Sequence, residues 1–227
     1  MIKFHSDIVQ GTQQWHEARR GLLTASEMGR IVTPKLKVAD NEKTRAHVYE
    51  IAAQRISGVV EVGFLGDEML RGHEDEIDAR DLYREKYGEV DDVGFITNDK
   101  WGFTIGYSPD GLVGDDGLIE IKSRRQRFQV ETIANHEVPQ EHVIQVQTAL
   151  LVSEREWIDF ISFSAGLPMA VITVAPDPTI HEAIIAAATA FEAKVAEVVE
   201  AYSANVKKHG FHPTERRLER DMGAIAI

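Results

Sequence analysis

Apolar side chains recur with helical spacing near the C-terminal end of the chain. Between Ile184 and Tyr202 they follow one another at alternating intervals of four and three residues, which places them along one face of an α-helix. Asp177 and Pro178 precede this run as N-cap and first helical residue, and Gly210 follows it. We therefore predict a long C-terminal helix that begins at about residue 177.

Helical patterns also occupy the N-terminal part of the chain. Gly21 interrupts the first pattern, so two short helices are expected there, and Thr24 and Glu27 have the spacing of a capping box at the start of the second. Glycines follow the other two patterns, as is typical of helix C-termini. The predicted helical segments are residues 12–31, 40–57 and 68–87.

Short segments rich in β-branched and aromatic residues replace the helical spacing after Gly88. Three such segments, separated by polar and glycine-containing turns, predict a β-meander. Two helices and two further strands follow before the C-terminal helix. The meander strands are expected at residues 90–97, 101–107 and 118–122, the later helices at about 125–135 and 140–152, and the later strands at 157–164 and 170–174.

The bulk composition is that of an ordinary globular protein. Of the 227 residues, 43% are hydrophobic and 27% are charged, and none is cysteine, which excludes disulfides and thiolate metal sites. No pair of the nine histidines has a convincing zinc spacing. Since no internal repeat or linker is visible, we predict one α/β domain over residues 1–227, with a helical extension from about residue 177. No signal peptide or membrane span is recognised, which predicts a cytoplasmic protein.

The net charge and the distribution of charges along the chain point to different conclusions about a DNA partner. A formal net charge of −12 argues against a nucleic-acid partner, because affinity for DNA comes largely from neutralised phosphates. Basic residues are clustered, however, and their distribution matters more than the average. An acidic exterior with one basic channel would satisfy both observations. The basic clusters before the C-terminal tail are Arg19 with Arg20, and Lys122 with Arg124, Arg125 and Arg127.

A group of chemically useful residues lies in the predicted strand 118–122 and just before it. The strand period of two puts Glu120 and Lys122 on one face, and a hairpin would bring Asp110 beside Glu120. Two adjacent carboxylates repel each other, and a hard divalent cation such as Mg²⁺ relieves the repulsion. Lys122 can hold a water beside the same cation and help to deprotonate it. Such a site supports metal-assisted hydrolysis of a phosphodiester bond.

The bare spacing of these residues is not specific, because a solvated hairpin with a surface Glu/Lys pair would show it as well. Two further observations favour a metal site. Pro109 directly precedes Asp110, and an upstream helix carries Glu76 on the same face as Ala79 and Tyr83. A glutamate on a face that packs against the sheet needs a partner. A surface glutamate in an acidic run is the alternative for this position.

These motifs, in this order, resemble the phage lambda exonuclease group, the YqaJ-type viral recombinases of the PD-(D/E)xK nuclease superfamily. The resemblance spans roughly residues 12–160 and implies an α/β, restriction-endonuclease-like core with a central mixed β-sheet, flanking helices and a long C-terminal helix. It rests on several short segments: Trp15–Gly21, Leu23–Glu27, Gly72 with Glu76 and Asp78–Arg80, Ser108–Leu112, Glu120–Lys122 and Gln145–Gln147.

The resemblance implies a set of metal ligands. Asp110 and Glu120 look like the metal-binding carboxylates, and the Ile121 carbonyl looks like a further ligand. Glu76 looks like the helix carboxylate that completes a second metal position. The implied cofactor is Mg²⁺, bound as two ions, with Mn²⁺ as a substitute.

Two more residues have implied catalytic roles. Lys122 resembles the residue that orients the nucleophilic water, and Gln145 occupies the place of a glutamine near the metals on the following helix. Related nucleases often carry a tyrosine four residues after that glutamine. Ala149 stands there in this chain, so that role is not carried over.

The resemblance also implies contacts with DNA. Arg19 and Ser26 match positions that bind the 5′-phosphate of the digested strand, and Ser108 is expected to join them. The residue types agree with phosphate binding. Arginine binds phosphate in a bidentate manner, and Ser26 lies at a predicted helix start, where free N–H groups favour anions. Arg124 and Arg125, directly after the strand 118–122, are expected to contact the DNA backbone.

Members of this group are homotrimeric rings that thread double-stranded DNA and digest one strand processively from 5′ to 3′. They act with a phage-encoded single-strand annealing protein inside a bacterial host. The resemblance therefore implies this activity, a homotrimer and that class of partner for a protein encoded by a phage or prophage. Two alternatives stay open: an endonuclease or junction resolvase on the same core, and a DNA-binding ring without catalysis.

Overall fold

From residue 42 onwards, helices and strands follow one another in runs of two or more up to the single C-terminal helix, and their bounds follow the sequence patterns closely in the C-terminal half of the chain. The computed structural model describes residues 1–61 and 67–216, with only the backbone described at 67–70. The strands are β1 (Ile2–His5), β2 (Leu23–Thr24), β3 (Phe95–Asn98), β4 (Ile105–Tyr107), β5 (Gly111–Val113), β6 (Gly117–Ser123), β7 (Trp157–Phe163) and β8 (Ala170–Val174). The α-helices are α1 (Gln13–Arg19), α2 (Glu42–Ser57), α3 (Asp67–Tyr87), α4 (Gln126–Asn135), α5 (Gln140–Ser153) and α6 (Pro178–His209), and a 3₁₀ helix spans Ala25–Arg30.

The strands form two mixed four-stranded sheets, with the orders β1-β3-β4-β2 and β5-β6-β7-β8. In the first sheet β2 runs parallel to β4, and in the second β6 runs parallel to β7; the other neighbours are antiparallel. Mixed sheets, flanking helices and the long C-terminal helix confirm the predicted fold class. The strands lie in two sheets rather than in one central sheet.

The predicted meander is divided between the two sheets. Strand β4 ends at Tyr107 in the first sheet, and β5 begins at Gly111 in the second. Pro109, between them, has no N–H group with which to continue a ladder, so the chain can leave one sheet and enter the other at this point. The sequence pattern showed the strands and their turns but not the change of sheet. The residues around Pro109 thus lie where the two sheets meet.

The parallel pair β6 and β7 passes through the core. Leu118, Ile119, Phe160 and Ile161 are completely buried, as expected for central strands covered on both faces. The two faces of β6 contribute to different apolar clusters. Ile119 and Ile121 pack with Ala79 and Tyr83 of α3, whereas Leu118 belongs to the larger cluster that includes α5 and α6.

The N-terminal segment differs most from its predicted structure. Helix α1 ends at Arg19, and Leu23–Thr24 pairs with β4 as a strand before the chain forms the 3₁₀ helix. Thr24 does not cap this helix through a side-chain bond to its backbone; its hydroxyl donates to the Glu27 carboxylate at 2.8 Å. The second predicted helix is thus a 3₁₀ helix after Thr24, and Thr24 itself pairs with β4 in the sheet.

The longer helices match their sequence signals. Asn41 caps α2, one residue after the expected start, and Gly58 ends it with a left-handed backbone. The Asp177 side chain accepts from two backbone N–H groups at the start of α6, and Gly210 ends that helix as predicted. No helix in the described part of the chain has the length and apolar character needed to cross a membrane. Residues 62–66 and 217–227, with part of the predicted C-terminal tail, lie outside the described residues.

Candidate active site

The β5–β6 hairpin positions the first acidic residue of the site. Its register pairs Gly111 with Ile119, so Asp110, one residue earlier, lies beside the part of β6 that contains Glu120. The Asp110 carboxylate accepts a hydrogen bond of 2.6 Å from the Ile121 N–H. Because the N–H and C=O of a strand residue point to the same side, the Ile121 carbonyl also faces the Asp110 side of β6. The predicted ligands Asp110 and Ile121 are therefore adjacent.

Glu120 is the most buried acidic side chain of the site, with 2% of its surface exposed. One carboxylate oxygen accepts from Lys122 Nζ at 2.6 Å and from the Gln145 side-chain amide. The other accepts from the Tyr107 hydroxyl at 3.1 Å. Lys122 and Gln145, both singled out from the sequence, thus meet at this carboxylate. We call Asp110, Glu120, Lys122, Gln145 and Tyr107 the carboxylate site.

Tyr107 was not identified from the sequence. It lies at the end of β4 in the first sheet and reaches Glu120 in the second. Within its own strand it looks like any aromatic core residue, and no local pattern indicates that its hydroxyl meets a carboxylate. Burial, together with Glu120 and Asp110, raises the pKa of Tyr107 well above its ordinary value, so the phenol remains a neutral donor.

Negative charge dominates the electrostatics of the carboxylate site. Burial raises the pKa of Asp110 well above its usual range, and the charges of Glu120 and Glu76 raise it further, against the opposing effects of Lys122 and the Ile121 N–H. Burial by itself would lower the pKa of Lys122, but Glu120, Asp110 and Glu76 give a net increase. Lys122 therefore keeps its proton in this arrangement and can orient a water by donating to it. A further cation would relieve the remaining repulsion.

The donor set suits a hard divalent cation. Asp110, Glu120 and the Ile121 carbonyl offer oxygen ligands, which Mg²⁺ and Mn²⁺ prefer over nitrogen or sulfur. Burial and the neighbouring carboxylate charges, which raise the pKa of Asp110, disfavour its ionised form, and a bound cation would favour that form. The chemistry of these side chains therefore agrees with the predicted metal.

Glu76 approaches the site from α3. Its helix packs on β6 through Ala79 and Tyr83, as the shared helical face predicted. Its carboxylate accepts from Arg80 at 2.6 Å, one helical turn along the same helix, so this glutamate has an ion-pair partner other than a metal. Its charge still acts on Asp110 and Lys122. A role in a second metal position stays a prediction.

A second predicted group assembles next to the carboxylate site. Arg19 donates to the Ser108 hydroxyl at 3.0 Å and to the Thr24 hydroxyl at 3.3 Å. The Trp15 indole N–H also donates to Ser108, at 2.9 Å, and the Arg19 guanidinium lies 4.3 Å from the Trp15 ring centre. Ser26 is exposed, with its hydroxyl 3.4 Å from that of Thr24. We call Arg19, Ser108, Trp15, Thr24 and Ser26 the Arg19 pocket.

The Arg19 pocket carries positive charge in a partly buried setting. Burial lowers the pKa of Arg19 from its ordinary value, against an opposing effect of Glu27. A guanidinium titrates so far above neutral pH that it remains charged. Its neighbours Ser108, Trp15 and Thr24 are neutral, so the guanidinium can still attract an anion.

The two arginines after β6 have different surroundings. The side chain of Arg124 is 10% exposed; it donates to Glu141 at 3.1 Å and lies 2.8 Å from the nearest ring nitrogen of His142. Arg125 is exposed at the start of α4. Both line a cavity of about 310 Å³ together with Arg71, Asp75, Gln126 and Ser164. Their predicted contact with DNA stays a prediction.

Asp75 is a buried acid, although its sequence context is an acidic run typical of a surface. Its side chain accepts a hydrogen bond from the Ser123 hydroxyl at the end of β6. The Asp75 side chain therefore links α3 by a hydrogen bond to β6, the strand that contains Glu120 and Lys122.

Comparisons with known proteins give a consistent result. A family model described as the YqaJ-like viral recombinase domain matches residues 14–156. The chain is similar to the crystal structure of an alkaline exonuclease, LHK-Exo, from Laribacter hongkongensis, with 30% identity and a TM-score of 0.77 over 87% of this chain and 100% of that one. LHK-Exo in complex with dAMP matches over the same shares of both chains, with 31% identity and a TM-score of 0.79.

A more distant structure supports the fold alone. A phage related exonuclease from Haemophilus somnus 129PT has 14% identity and a TM-score of 0.56, over 82% of this chain and 99% of that one. A search of curated proteins found no match.

Proposed function

The chain belongs to the YqaJ-like viral recombinase family, and from this premise we propose that it is a Mg²⁺-dependent exonuclease that digests double-stranded DNA processively from 5′ to 3′. The product would be 3′ single-stranded DNA for phage-type annealing recombination. Membership of the family and likeness to an alkaline exonuclease support the coarser activity of a DNA exonuclease. Polarity, duplex specificity and the metal are the parts that we propose.

One observation carries the proposal: a site in which carboxylates outnumber the single lysine adjoins, along the chain, a pocket that contains an arginine and no carboxylate. Ser108 belongs to the Arg19 pocket, and Asp110 belongs to the carboxylate site. Only Pro109 separates these two residues along the chain. A terminal phosphate in the Arg19 pocket would therefore place the first phosphodiester bond near Asp110 and Glu120.

The residues of the carboxylate site would divide the chemistry between them. Asp110, Glu120 and the Ile121 carbonyl would hold the cation, and Glu76 would contribute to a second position. A bound Mg²⁺ would polarise the phosphodiester and lower the pKa of a coordinated water. Lys122 would orient the attacking water by donating to it, and Gln145 and Tyr107 would fix the Glu120 carboxylate through their hydrogen bonds.

Polarity would follow from recognition of the end. A 5′-phosphate carries about two negative charges, whereas a 5′-hydroxyl carries none. Arg19 and Ser108 would bind that phosphate, with Ser26 at the mouth of the pocket. The solved complex of the similar alkaline exonuclease with dAMP supports a nucleotide-sized product for this chain as well.

Linear duplex DNA labelled at either the 5′ or the 3′ end, with and without Mg²⁺, tests the proposal. We expect the 5′ label to be released early as a mononucleotide, only when Mg²⁺ is present. Early release of the 3′ label would refute the polarity. Cutting of closed supercoiled plasmid would indicate the endonuclease alternative, and DNA binding without metal-dependent digestion would indicate a ring that lacks catalysis.

We propose that the protein acts as a homotrimeric ring that works with a phage-type single-strand annealing protein. A closed trimer should have close to three times the 25.4 kDa mass of one chain in light scattering. Processive digestion by a protein that remains a monomer at the assay concentration would refute the ring. The annealing protein would then have to dock on the outer surface of the ring.

A further inference from the structure

A third group of polar side chains lies where the 3₁₀ helix meets α2. Glu27 comes from the 3₁₀ helix, and His47 and Glu50 come from α2, where their separation of three residues places them on one face. One ligand atom from each lies within 4.8 Å of the others. The spacing of histidine pairs along the sequence does not reveal this group, because it is made of one histidine and two carboxylates, one of them on a separate element.

His47 is the unusual member of this group. Its side chain is completely buried against Phe191 of α6, with the ring centres 5.1 Å apart. Among the described residues its Nε2 has no hydrogen-bond partner, and it faces the Glu27 carboxylate across 4.0 Å. An unpaired buried polar atom is costly, and this one is directed into the group of potential ligands.

The other ring nitrogen, Nδ1, lies next to both a hydrogen-bond acceptor and a hydrogen-bond donor. Nδ1 of His47 lies 3.0 Å from a Glu50 oxygen and 3.2 Å from an Arg30 guanidinium nitrogen. If Nδ1 carries the proton, it can donate to Glu50 but meets the Arg30 donor, and the Nε2 lone pair points towards Glu27. If Nε2 carries the proton, Nδ1 can accept from Arg30 but its lone pair meets Glu50. Neither neutral tautomer satisfies every neighbour.

Arg30 shows that the group already attracts a cation. Its guanidinium lies 3.1 Å from Glu50 and 3.8 Å from Glu27. The Arg30 side chain is 48% exposed, so its head group can move into solvent. A cation of higher charge density could then take its place between the two carboxylates.

We propose that Glu27, His47 and Glu50 form a binding site for a divalent transition-metal ion of the zinc class. Imidazole nitrogen and carboxylate oxygen are both protein ligands of Zn²⁺, and three such ligands would leave a fourth position for water. The imidazole favours zinc over Mg²⁺, which prefers oxygen ligands. This site is distinct from the carboxylate site, and its existence does not depend on the proposed exonuclease activity.

The location suggests a structural effect on the Arg19 pocket. Thr24 donates to Glu27 at 2.8 Å and accepts from Arg19 at 3.3 Å. A metal ion bound to Glu27 would fasten the 3₁₀ helix to α2 directly behind that pocket. The ion would act by holding Glu27 and Thr24 in place, without contact with DNA.

Competition for Zn²⁺ between the full-length protein and a chromogenic chelator, in excess Mg²⁺, tests the site. Excess Mg²⁺ occupies oxygen-only sites, so the wild type should still bind one equivalent of Zn²⁺. Glu50→Gln and His47→Gln should weaken that binding about 100-fold or more, because each removes a ligand. Glu50 is half exposed, so its variant should fold even where replacement of the buried His47 interferes with folding.

Two further variants distinguish a metal site at His47 from a simple ion pair and from Zn²⁺ bound at the carboxylate site. Arg30→Gln should bind Zn²⁺ several-fold more tightly, because it removes the competing cation, whereas a merely structural ion pair predicts no gain. Asp110→Asn should leave Zn²⁺ binding unchanged. The site is refuted if the wild type binds no Zn²⁺ in excess Mg²⁺, if Glu50→Gln binds as tightly as the wild type, or if Asp110→Asn removes the binding.

Discussion

The carboxylate site and the Arg19 pocket adjoin through Ser108, Pro109 and Asp110, but their charges are opposite. On one side, burial and the charges of Glu120 and Glu76 raise the pKa of Asp110, and on the other a partly buried guanidinium contacts Ser108. The phosphates of a DNA strand are attracted by Arg19 and repelled by the carboxylates, unless a cation lies between the carboxylates and the phosphate. We propose that this difference lets the Arg19 pocket select the end of the strand and makes the carboxylate site depend on a metal ion.

The two regions also differ in how they are assembled. The Arg19 pocket draws most of its residues from one continuous N-terminal segment, with Ser108 as its contribution from elsewhere. The carboxylate site combines side chains from β4, the start of β5, β6 and α5. Variants that affect one region only can therefore separate end recognition from chemistry.

The largest effect is expected from loss of a metal-binding carboxylate. Asp110→Ala or Glu120→Ala should abolish cleavage, because each removes an oxygen ligand of a hard cation. The fold should persist, which circular dichroism and thermal unfolding can check. Asp159→Asn is a suitable control, because Asp159 is a buried carboxylate on the adjacent strand that binds Tyr83 and Thr173 instead. Wild-type rates in either alanine variant would contradict the assignment.

Substitution of Lys122 is expected to have the second largest effect on activity. Lys122→Ala should lower turnover by orders of magnitude with little change in the Mg²⁺ concentration needed for half-maximal activity, because Lys122 is expected to act on the water rather than on the ion. Lys122→Arg should not restore the rate, since a planar guanidinium cannot replace a compact ammonium. A fully active arginine variant would reduce Lys122 to a local positive charge.

Substitution of Arg19 should change the digestion rate of one kind of DNA end only, the phosphorylated end. The wild type should prefer a 5′-phosphate over a 5′-hydroxyl roughly ten- to hundredfold, as expected for one charged hydrogen-bonding interaction. Arg19→Ala should remove most of this preference by slowing digestion of phosphorylated ends, with little change on hydroxyl ends. Arg20→Ala provides the matched control, because Arg20 is exposed and donates to the Gly58 carbonyl. Equal rates on both ends in the wild type would disprove the phosphate pocket.

The smallest effect is expected from the hydroxyl of Tyr107. Tyr107→Phe should lower the apparent affinity for Mg²⁺ about tenfold, because the variant no longer fixes the Glu120 carboxylate. Tyr83→Phe removes a comparable buried hydrogen bond, to Asp159, and controls for general loss of stability. A metal titration of activity that shifts equally in both variants would show that Tyr107 is only a core residue.

The C-terminal half of the chain was predictable because its signals are local. The cap at Asp177, the apolar spacing of α6 and the terminating Gly210 depend on residues within a few turns of one another. The same holds for the common face of Glu120 and Lys122, which follows from the strand period. In the N-terminal segment, the second predicted helix formed as a 3₁₀ helix, and Leu23–Thr24 before it became a strand because it pairs with the distant strand β4.

The candidate site residues were identified from residue types and their spacing, because both reflect ligand chemistry directly. How those side chains meet could be seen only in the folded structure. The division into two sheets at Pro109, the approach of Tyr107 to Glu120, and the group of Glu27 with His47 depend on contacts between separate elements. Such contacts are fixed by packing of the whole core, and no local periodicity records them.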